Sequence, residues 1–234
     1  MQIIILAAGL GSRLGKGLPK ALVPVCGKTM LQHQYAWTRT FKPERTVVIG
    51  GYHFPEMEDF CSKNFDDVIL VENTRYREQN LYSLLAAEKF FDKDTLIMNV
   101  DHIYPVSFAE RVAEDLGKVK DYAIFADTCR NLSDDDMKVF VNESGRVEKI
   151  SKKLTIWNAG YIGMTFINRN FWGEYLKAAA AAAETAKEKA VVEMVVQQLI
   201  DNGHYPSVIN SDGIVWYEID TPEELLFAES NLKI

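Results

Sequence analysis

Through the first half of the chain, short runs that are apolar at nearly every position alternate with longer stretches whose apolar residues recur at helical spacing. A strand covered by helices on both faces has no polar side, so such continuous runs predict a parallel sheet built from βα units. The strand runs are residues 3–8, 46–50, 68–72, 95–100 and 122–126, and helices are predicted near 29–40, 55–63, 80–91 and 107–116.

After residue 126 the rhythm changes. Residues 137–141 and 146–150 alternate apolar with polar around Asn142-Glu143-Ser144-Gly145, which predicts a β-hairpin. A strand is predicted at 160–167, then a long helical region at 171–202 carrying six consecutive alanines, 178–183, the strongest helix formers. Two short strands, 206–210 and 214–219, precede a last helix opened by Thr221-Pro222-Glu223-Glu224, with an N-cap and proline at the first helical position. The expected architecture is α/β: one three-layer domain over residues 1–234 with a Rossmann-like, mostly parallel sheet. A hairpin lobe at about 128–157 is expected over the carboxyl edge of that sheet. No repeat and no long linker interrupts it.

Composition narrows the function classes. Of 234 residues, 47% are hydrophobic and 25% charged, enough to build a core. The formal charge is −7, from 26 Lys and Arg against 33 Asp and Glu, the opposite of a dedicated nucleic-acid binder. Any phosphate must therefore be held locally. No apolar run approaches the ~20 residues that span a bilayer, and Met-Gln-Ile-Ile-Ile-Leu has no basic leader, so a cytoplasmic protein without membrane insertion is expected. Three dispersed cysteines, Cys26, Cys61 and Cys129, fit reduced thiols and disfavour structural zinc. The four histidines lack ligand spacing as well. A homodimer is compatible with the sequence but not required by it.

The chemistry concentrates after the first strand, in Leu6-Ala7-Ala8-Gly9-Leu10-Gly11-Ser12-Arg13-Leu14-Gly15-Lys16-Gly17-Leu18-Pro19-Lys20. Ligands of open α/β sheets sit at the carboxyl ends of strands, where a glycine-rich turn lets backbone N–H groups approach phosphate. Two commoner motifs fail here. Leu14 stands where the dinucleotide fingerprint needs its third glycine, and Leu22 stands where a P-loop ending in Gly27-Lys28-Thr29 needs its first. What remains is a loop with two fixed cations, Arg13 and Lys20, suited to neutralising a triphosphate during displacement.

Asp101 ends the apolar strand at 95–100, and Asp220 precedes the last helix. Mg²⁺ is commonly held by one or two carboxylates plus phosphate oxygens and water, so this pair suffices as a protein contribution. Asp220 has an equal claim as a helix N-cap, a role for which Thr221 competes. Gln79 and Asn80, at the start of a predicted helix, suit either base recognition or capping.

The glycine loop with its arginine, ending in Pro19-Lys20, resembles the nucleotidyltransferase superfamily that makes nucleotide-sugars and CDP-alcohols. That resemblance implies a GT-A-like fold, with Lys20 and Arg13 as catalytic residues on the nucleotide phosphates. It also places Ala7, Ala8, Gly9 and Gly11 at the nucleotide and Mg²⁺ on Asp101 and Asp220. Asn80-Leu81-Tyr82-Ser83-Leu84, Asp101-His102-Ile103-Tyr104 and Trp216-Tyr217-Glu218-Ile219-Asp220 resemble the CTP-using branch that activates phosphorylated alcohols. Within it the chain is most similar to the inositol-1-phosphate cytidylyltransferases, with the bacterial phosphocholine enzymes next. Some inositol enzymes carry a membrane-embedded transferase domain after this one; since the chain stops at Ile234, that activity is expected in another protein.

The acceptor is the least legible part. An inositol phosphate needs hydrogen-bonding groups and cations, for which Asp101, His102, Lys138, Lys149, Lys152, Lys153 and Asn158 are candidates; the hairpin lysines read equally as solvated surface. Choline needs aromatic faces, for which Trp157, Tyr161, Trp172, Trp216 and Tyr217 are candidates unless they belong to the core. The competing readings are a sugar-1-phosphate nucleotidyltransferase using UTP, dTTP or GTP, and a nucleotide-sensing module without turnover.

Overall fold

In the computed structural model, which describes residues 1–232, the first apolar run becomes β1 (Gln2–Leu6), buried along its whole length. Next come β2 (Pro24–Val25) and β3 (Lys28–Thr29), joined by Cys26 and Gly27 at φ values of 49° and 80°. The Gly27-Lys28-Thr29 triplet is thus part of a tight turn, and Thr29 caps α1 (Met30–Thr38) in a capping box with Gln32. The chain continues through β4 (Arg45–Gly50), α2 (Phe54–Asn64), β5 (Val68–Glu72), α3 (Leu81–Ala86), β6 (Thr95–Asn99), β7 (His102–Ile103) and α4 (Val106–Leu116). The second half holds β8 (Tyr122–Asp127), β9 (Lys138–Val141), β10 (Val147–Ser151), β11 (Ala159–Ile167), α5 (Trp172–Ala186), α6 (Val192–Asp201), β12 (Ser207–Asn210), β13 (Tyr217–Glu218) and α7 (Pro222–Asn231).

β5, β4, β1 and β6 lie side by side and parallel. Beyond β6 the sheet becomes mixed: β11 runs antiparallel to β6, β8 and β9, and the β9–β10 hairpin extends the edge. The hairpin thereby prolongs the nine-stranded sheet as well as forming a lobe. Alternate residues of β1 serve opposite cores. Ile3 and Ile5 pack with Met30, Trp37, Met57 and Phe108 from α1, α2 and α4. Ile4 and Leu6 pack with Leu81, Tyr175 and Val195 from α3, α5 and α6. Two buried faces produce the three layers, as the unbroken apolar runs require.

Three expectations need correction. The strand expected at 214–219 shrinks to β13, which pairs antiparallel with β7; Val215 is exposed, and the bulk of Trp216 goes into ring stacking instead of a ladder. The long helix at 171–202 is two helices, broken where Lys187 takes φ 50°. That break has a use: the carbonyls of Glu188 and Ala190 accept the N–H groups of Gln79 and Leu81, donors that the start of α3 would otherwise leave unpaired. The helix expected at 80–91 ends as α3 at Ala86 and continues only as a short 3₁₀ turn, Glu88–Phe90.

Candidate active site

Strand register brings the first two motifs together. Leu6 of β1 is paired with Asn99 of β6, so the glycine loop and Asp101 leave the same edge of the sheet from adjacent strands. The Asp101 carbonyl accepts the Ile219 N–H at 2.9 Å, which draws the segment after β13, and with it Asp220, to the same edge. The loop folds back on itself. Gly11 has φ 62°, and a Cβ there would meet the Lys20 Cβ at 3.1 Å, so glycine lets the Lys20 stem lie against the loop backbone.

Lys20 is the centre of the arrangement. Only 7% exposed, it donates to Asp101 Oδ2 at 2.5 Å and to Asp220 Oδ1. Burial works against its charge, but the two carboxylates outweigh it and raise the ammonium above its ordinary value. Burial likewise disfavours the charge on Asp101, yet Lys20 and His102 bring its carboxyl well below the usual range. Arg13, on the 3₁₀ turn Ser12–Leu14, spans Asp220 Oδ2 and Asp135 Oδ2, each at 2.8 Å. Asp135 belongs to the loop before β9 and also faces Lys152 at 3.4 Å, so the lobe is tied to the glycine loop by ion pairs.

Arg13, Lys20, Asp101 and Asp220 line a cleft of about 420 Å³ together with Ala8, Gly9, Gln79, Asn80 and Ser83. Ala7 is buried and does not line it. Asp220 is not the cap of α7: Thr221 accepts the Glu224 N–H in a capping box, and the Asp220 side chain is left for the two cations. Asn80 does not cap its own helix either. Its side-chain oxygen accepts the Val192 N–H at the head of α6, at 3.0 Å, while Gln79 is exposed on the cleft wall.

The acceptor candidates scatter. The Lys138 ammonium is buried and donates to the carbonyls of Ser133, Asp134 and Lys152, stitching the lobe together. Asn158 bonds both the N–H and the carbonyl of Val141 in place of a strand neighbour, and Lys149 is exposed on β10. His102 is buried, donating from Nδ1 to Asp101 Oδ1 at 2.7 Å. None of the four lines the cleft. The aromatic candidates scatter too: Trp157 is exposed with the Lys138 ammonium 5.3 Å from its ring, Tyr161 bonds Thr165, Trp172 donates to the Lys93 carbonyl, Trp216 donates to Asp127, and Tyr217 is buried in β13.

Sequence reasoning missed Tyr76, Arg77 and Ser83 on the cleft wall. Ser83 accepts from the buried amide of Asn73 at 3.0 Å, a pairing between residues ten apart that no local period reveals. Arg77 has no acidic partner among the described residues, unlike Arg75, which is spent on Glu78. An unspent arginine just before α3 is the signal that could have marked it.

Asp101 and Asp220 aim hard oxygen donors at one point, now filled by the Lys20 ammonium, and such a donor set fits Mg²⁺ once Lys20 turns to phosphate. A second grouping, Asp127, Cys129 and Asp212, places ligand atoms within 4.8 Å of one another and could hold a divalent ion. Its carboxylates already accept from the N–H groups of Cys129, Arg130 and Thr128, the Thr128 hydroxyl and the Trp216 indole.

A mixed α/β sheet with a parallel core, whose first loop carries paired cations faced by two acids, is an arrangement suited to a nucleoside triphosphate. The chain belongs to the MobA-like NTP transferase domain family, whose model matches residues 3–197. It is 28% identical to the "Bifunctional IPC transferase and DIPP synthase" of Thermococcus kodakarensis over 228 residues, 96% of this chain and 49% of that protein. Against the protein of the same name from Archaeoglobus fulgidus it is 27% identical, covering 96% and 42%. The chain thus spans about half the length of the curated relatives it matches. Among solved structures it resembles the inositol-1-phosphate CTP transferase from T. maritima, with TM-score 0.81 and 20% identity over 100% of this chain and 97% of that one. It also resembles the CTP:phosphocholine cytidylyltransferase from Streptococcus pneumoniae, with TM-score 0.76 and 23% identity over 99% of each. The fold is therefore the mixed α/β nucleotidyltransferase fold, with a parallel core and added lid strands. No helix among the described residues is long and apolar enough to cross a membrane.

Proposed function

We propose that this chain transfers the cytidylyl group of CTP to inositol 1-phosphate, giving CDP-inositol and pyrophosphate. The observation that carries the nucleotidyl-transfer chemistry is Lys20 held between Asp101 and Asp220 at the mouth of the glycine loop. The choice of CTP and inositol 1-phosphate is supported by the likeness to the T. maritima transferase over the whole chain. The dispersal of the aromatic candidates into separate contacts argues against a choline cage.

An acceptor phosphate oxygen attacks the α-phosphorus, the bond to the β-phosphate oxygen breaks, and pyrophosphate leaves with that electron pair. A phosphate monoester has a second pKa near ~6, so the attacking oxygen is already anionic at neutral pH and no general base is needed. The remaining problem is repulsion between two anions. Lys20 and Arg13 exchange their carboxylate partners for phosphate oxygens and hold the charge that develops on the leaving group. Arg77 offers a third cation on the facing wall. Gly9 and Gly11 allow the triphosphate to approach the loop backbone, while Ala8, Gln79 and Asn80 border the base and ribose. Asp101 and Asp220 would hold Mg²⁺, which supplies further neutralisation of triphosphate charge. Lys152, linked through Asp135 to Arg13, is the cation we propose for the acceptor phosphate. The protein works in the cytoplasm on small phosphorylated molecules, a setting that its three free cysteines fit.

Pyrophosphate release from CTP, UTP, GTP and dTTP, each with inositol 1-phosphate and with Mg²⁺ or EDTA, tests the assignment. Release confined to CTP with Mg²⁺ supports it. Release with another nucleotide reassigns the donor, and none with any of the four removes inositol 1-phosphate as the acceptor.

A further inference from the structure

His102 never reaches the cleft, yet its surroundings are built around its ring. Its Nδ1 faces Asp101 Oδ1 at 2.7 Å, which makes Nδ1 the protonated nitrogen, and the other carboxylate oxygen faces Lys20. Gly163, at φ 74°, sits where the register of β11 slips between Tyr161 and Thr165. A Cβ at Gly163 would fall 2.7 Å from the imidazole Cε1 and 2.8 Å from Nε2, so any other residue would displace the ring. Trp216 stacks on the same ring, with centroids 5.5 Å apart and planes 11° from parallel. Trp216 is fixed in turn, its indole N–H donating to Asp127 at 2.7 Å and the Arg130 guanidinium lying 4.2 Å over it. The backbone is held as well: the His102 carbonyl accepts from Gln34, and β7 is paired with β13.

We infer that His102 is a positioning residue for the proposed metal site: its Nδ1–H fixes one oxygen of Asp101 so that the other faces the cleft, and Gly163 and Trp216 hold the imidazole in that pose. The inference rests on the assignment of Asp101 as a metal ligand. Groups that hydrogen-bond a ligating carboxylate orient it, and removing them typically weakens metal binding or activity by about 10- to 100-fold. A packing role alone would be met by any side chain of similar bulk. An orienting role demands a donor at the Nδ1 position.

The experiment is Mn²⁺ binding in the presence of CTP, whose phosphates draw Lys20 off the two acids, followed by electron paramagnetic resonance, to the parent protein and to His102→Asn, His102→Gln, His102→Leu and Trp216→Phe, with thermal melts beside it. Asparagine places an amide N–H near the Nδ1 position, glutamine near Nε2, and leucine only fills space. His102→Asn should bind within about threefold of the parent, while the glutamine and leucine variants should bind at least about tenfold more weakly at comparable melting temperature. Trp216→Phe keeps the donor and loosens its support, so it should also weaken binding and yields a result even if the His102 variants do not fold. Parent-like Mn²⁺ affinity in Trp216→Phe and in every folded His102 variant overturns the inference alone. A parent protein that binds no Mn²⁺ beyond what CTP itself holds removes the metal assignment, and the inference falls with it.

Discussion

Lys20 and Asp220 lie 200 residues apart in the chain and form an ion pair at the mouth of the glycine loop. Asp101 completes the pairing from the end of β6, so one ammonium joins the first loop, the centre of the sheet and the entry to the last helix.

Lys20→Ala should lower turnover by about 100- to 1000-fold, the scale seen when one charge-stabilising donor is removed. Both acids retain some exposure, at 20% and 22% of their side chains, so water can solvate them and the loss of stability should stay near 1 to 2 kcal/mol. Steady-state kinetics beside a melting curve separates the two effects. Activity within a few-fold of the parent would remove Lys20 from the chemistry.

Asp220→Asn and Thr221→Ala should have opposite signatures although they are neighbours. Asparagine at 220 leaves the Thr221 capping box intact but removes the negative charge facing both cations, and should cost at least about 100-fold in Mg²⁺-dependent activity. Alanine at 221 removes the cap, costing about 1 kcal/mol and some 2 to 4 °C in melting temperature while activity survives. If Asp220→Asn is silent in both assays, the carboxylate has no part in the site.

Much of this was legible in advance, and the misses have a common cause. The central parallel strands β1, β4 and β6 are each marked by an apolar run, because burial on two faces leaves a local signature, and the edge strand β5 carries such a run although none of its residues is fully buried. The glycine loop announces its position by following the first of those runs. The role of Asp220 was open because a carboxylate before a helix reads as a cap, and only the Thr221–Glu224 bonds decide which residue caps. That Lys138 and Asn158 bond within the hairpin region could not be read in advance, because their partners are backbone carbonyls and N–H groups, which every sequence carries equally. The break at Lys187 is likewise set by docking against α3, a tertiary contact that helix propensity does not register.

Gly9→Ala and Gly11→Ala separate space from strain. A Cβ on Gly9 meets nothing within 4 Å, so the variant should melt like the parent yet raise the nucleotide KM by about tenfold or more where the triphosphate approaches. At Gly11 the left-handed backbone and the Lys20 stem both resist a side chain, costing roughly 1 to 2 kcal/mol of stability. Differential scanning calorimetry and nucleotide titrations on both variants check the split; an unchanged KM for Gly9→Ala would place the phosphates elsewhere.

Asp135→Asn should lower the nucleotide KM with kcat unchanged, because Asp135 competes with phosphate for Arg13. The pair is exposed, 53% and 69% for the two side chains, so it contributes about 0 to 1 kcal/mol and the gain should not exceed roughly fivefold. The gain should also shrink at high salt, where the parent pair is already screened. A higher KM in the variant would show that Asp135 helps to bind the nucleotide.

The most direct test of cytidylyl transfer to inositol 1-phosphate is a competition in one tube, with CTP, Mg²⁺ and equal concentrations of inositol 1-phosphate and phosphocholine, followed by phosphorus NMR. A polyol phosphate and a quaternary ammonium require different walls, so one pocket should not serve both. CDP-inositol should form at least about tenfold faster than CDP-choline, equivalent to roughly 1.4 kcal/mol of differential transition-state binding. Predominant CDP-choline would overturn the acceptor, and the absence of any CDP product would contradict the proposed reaction itself.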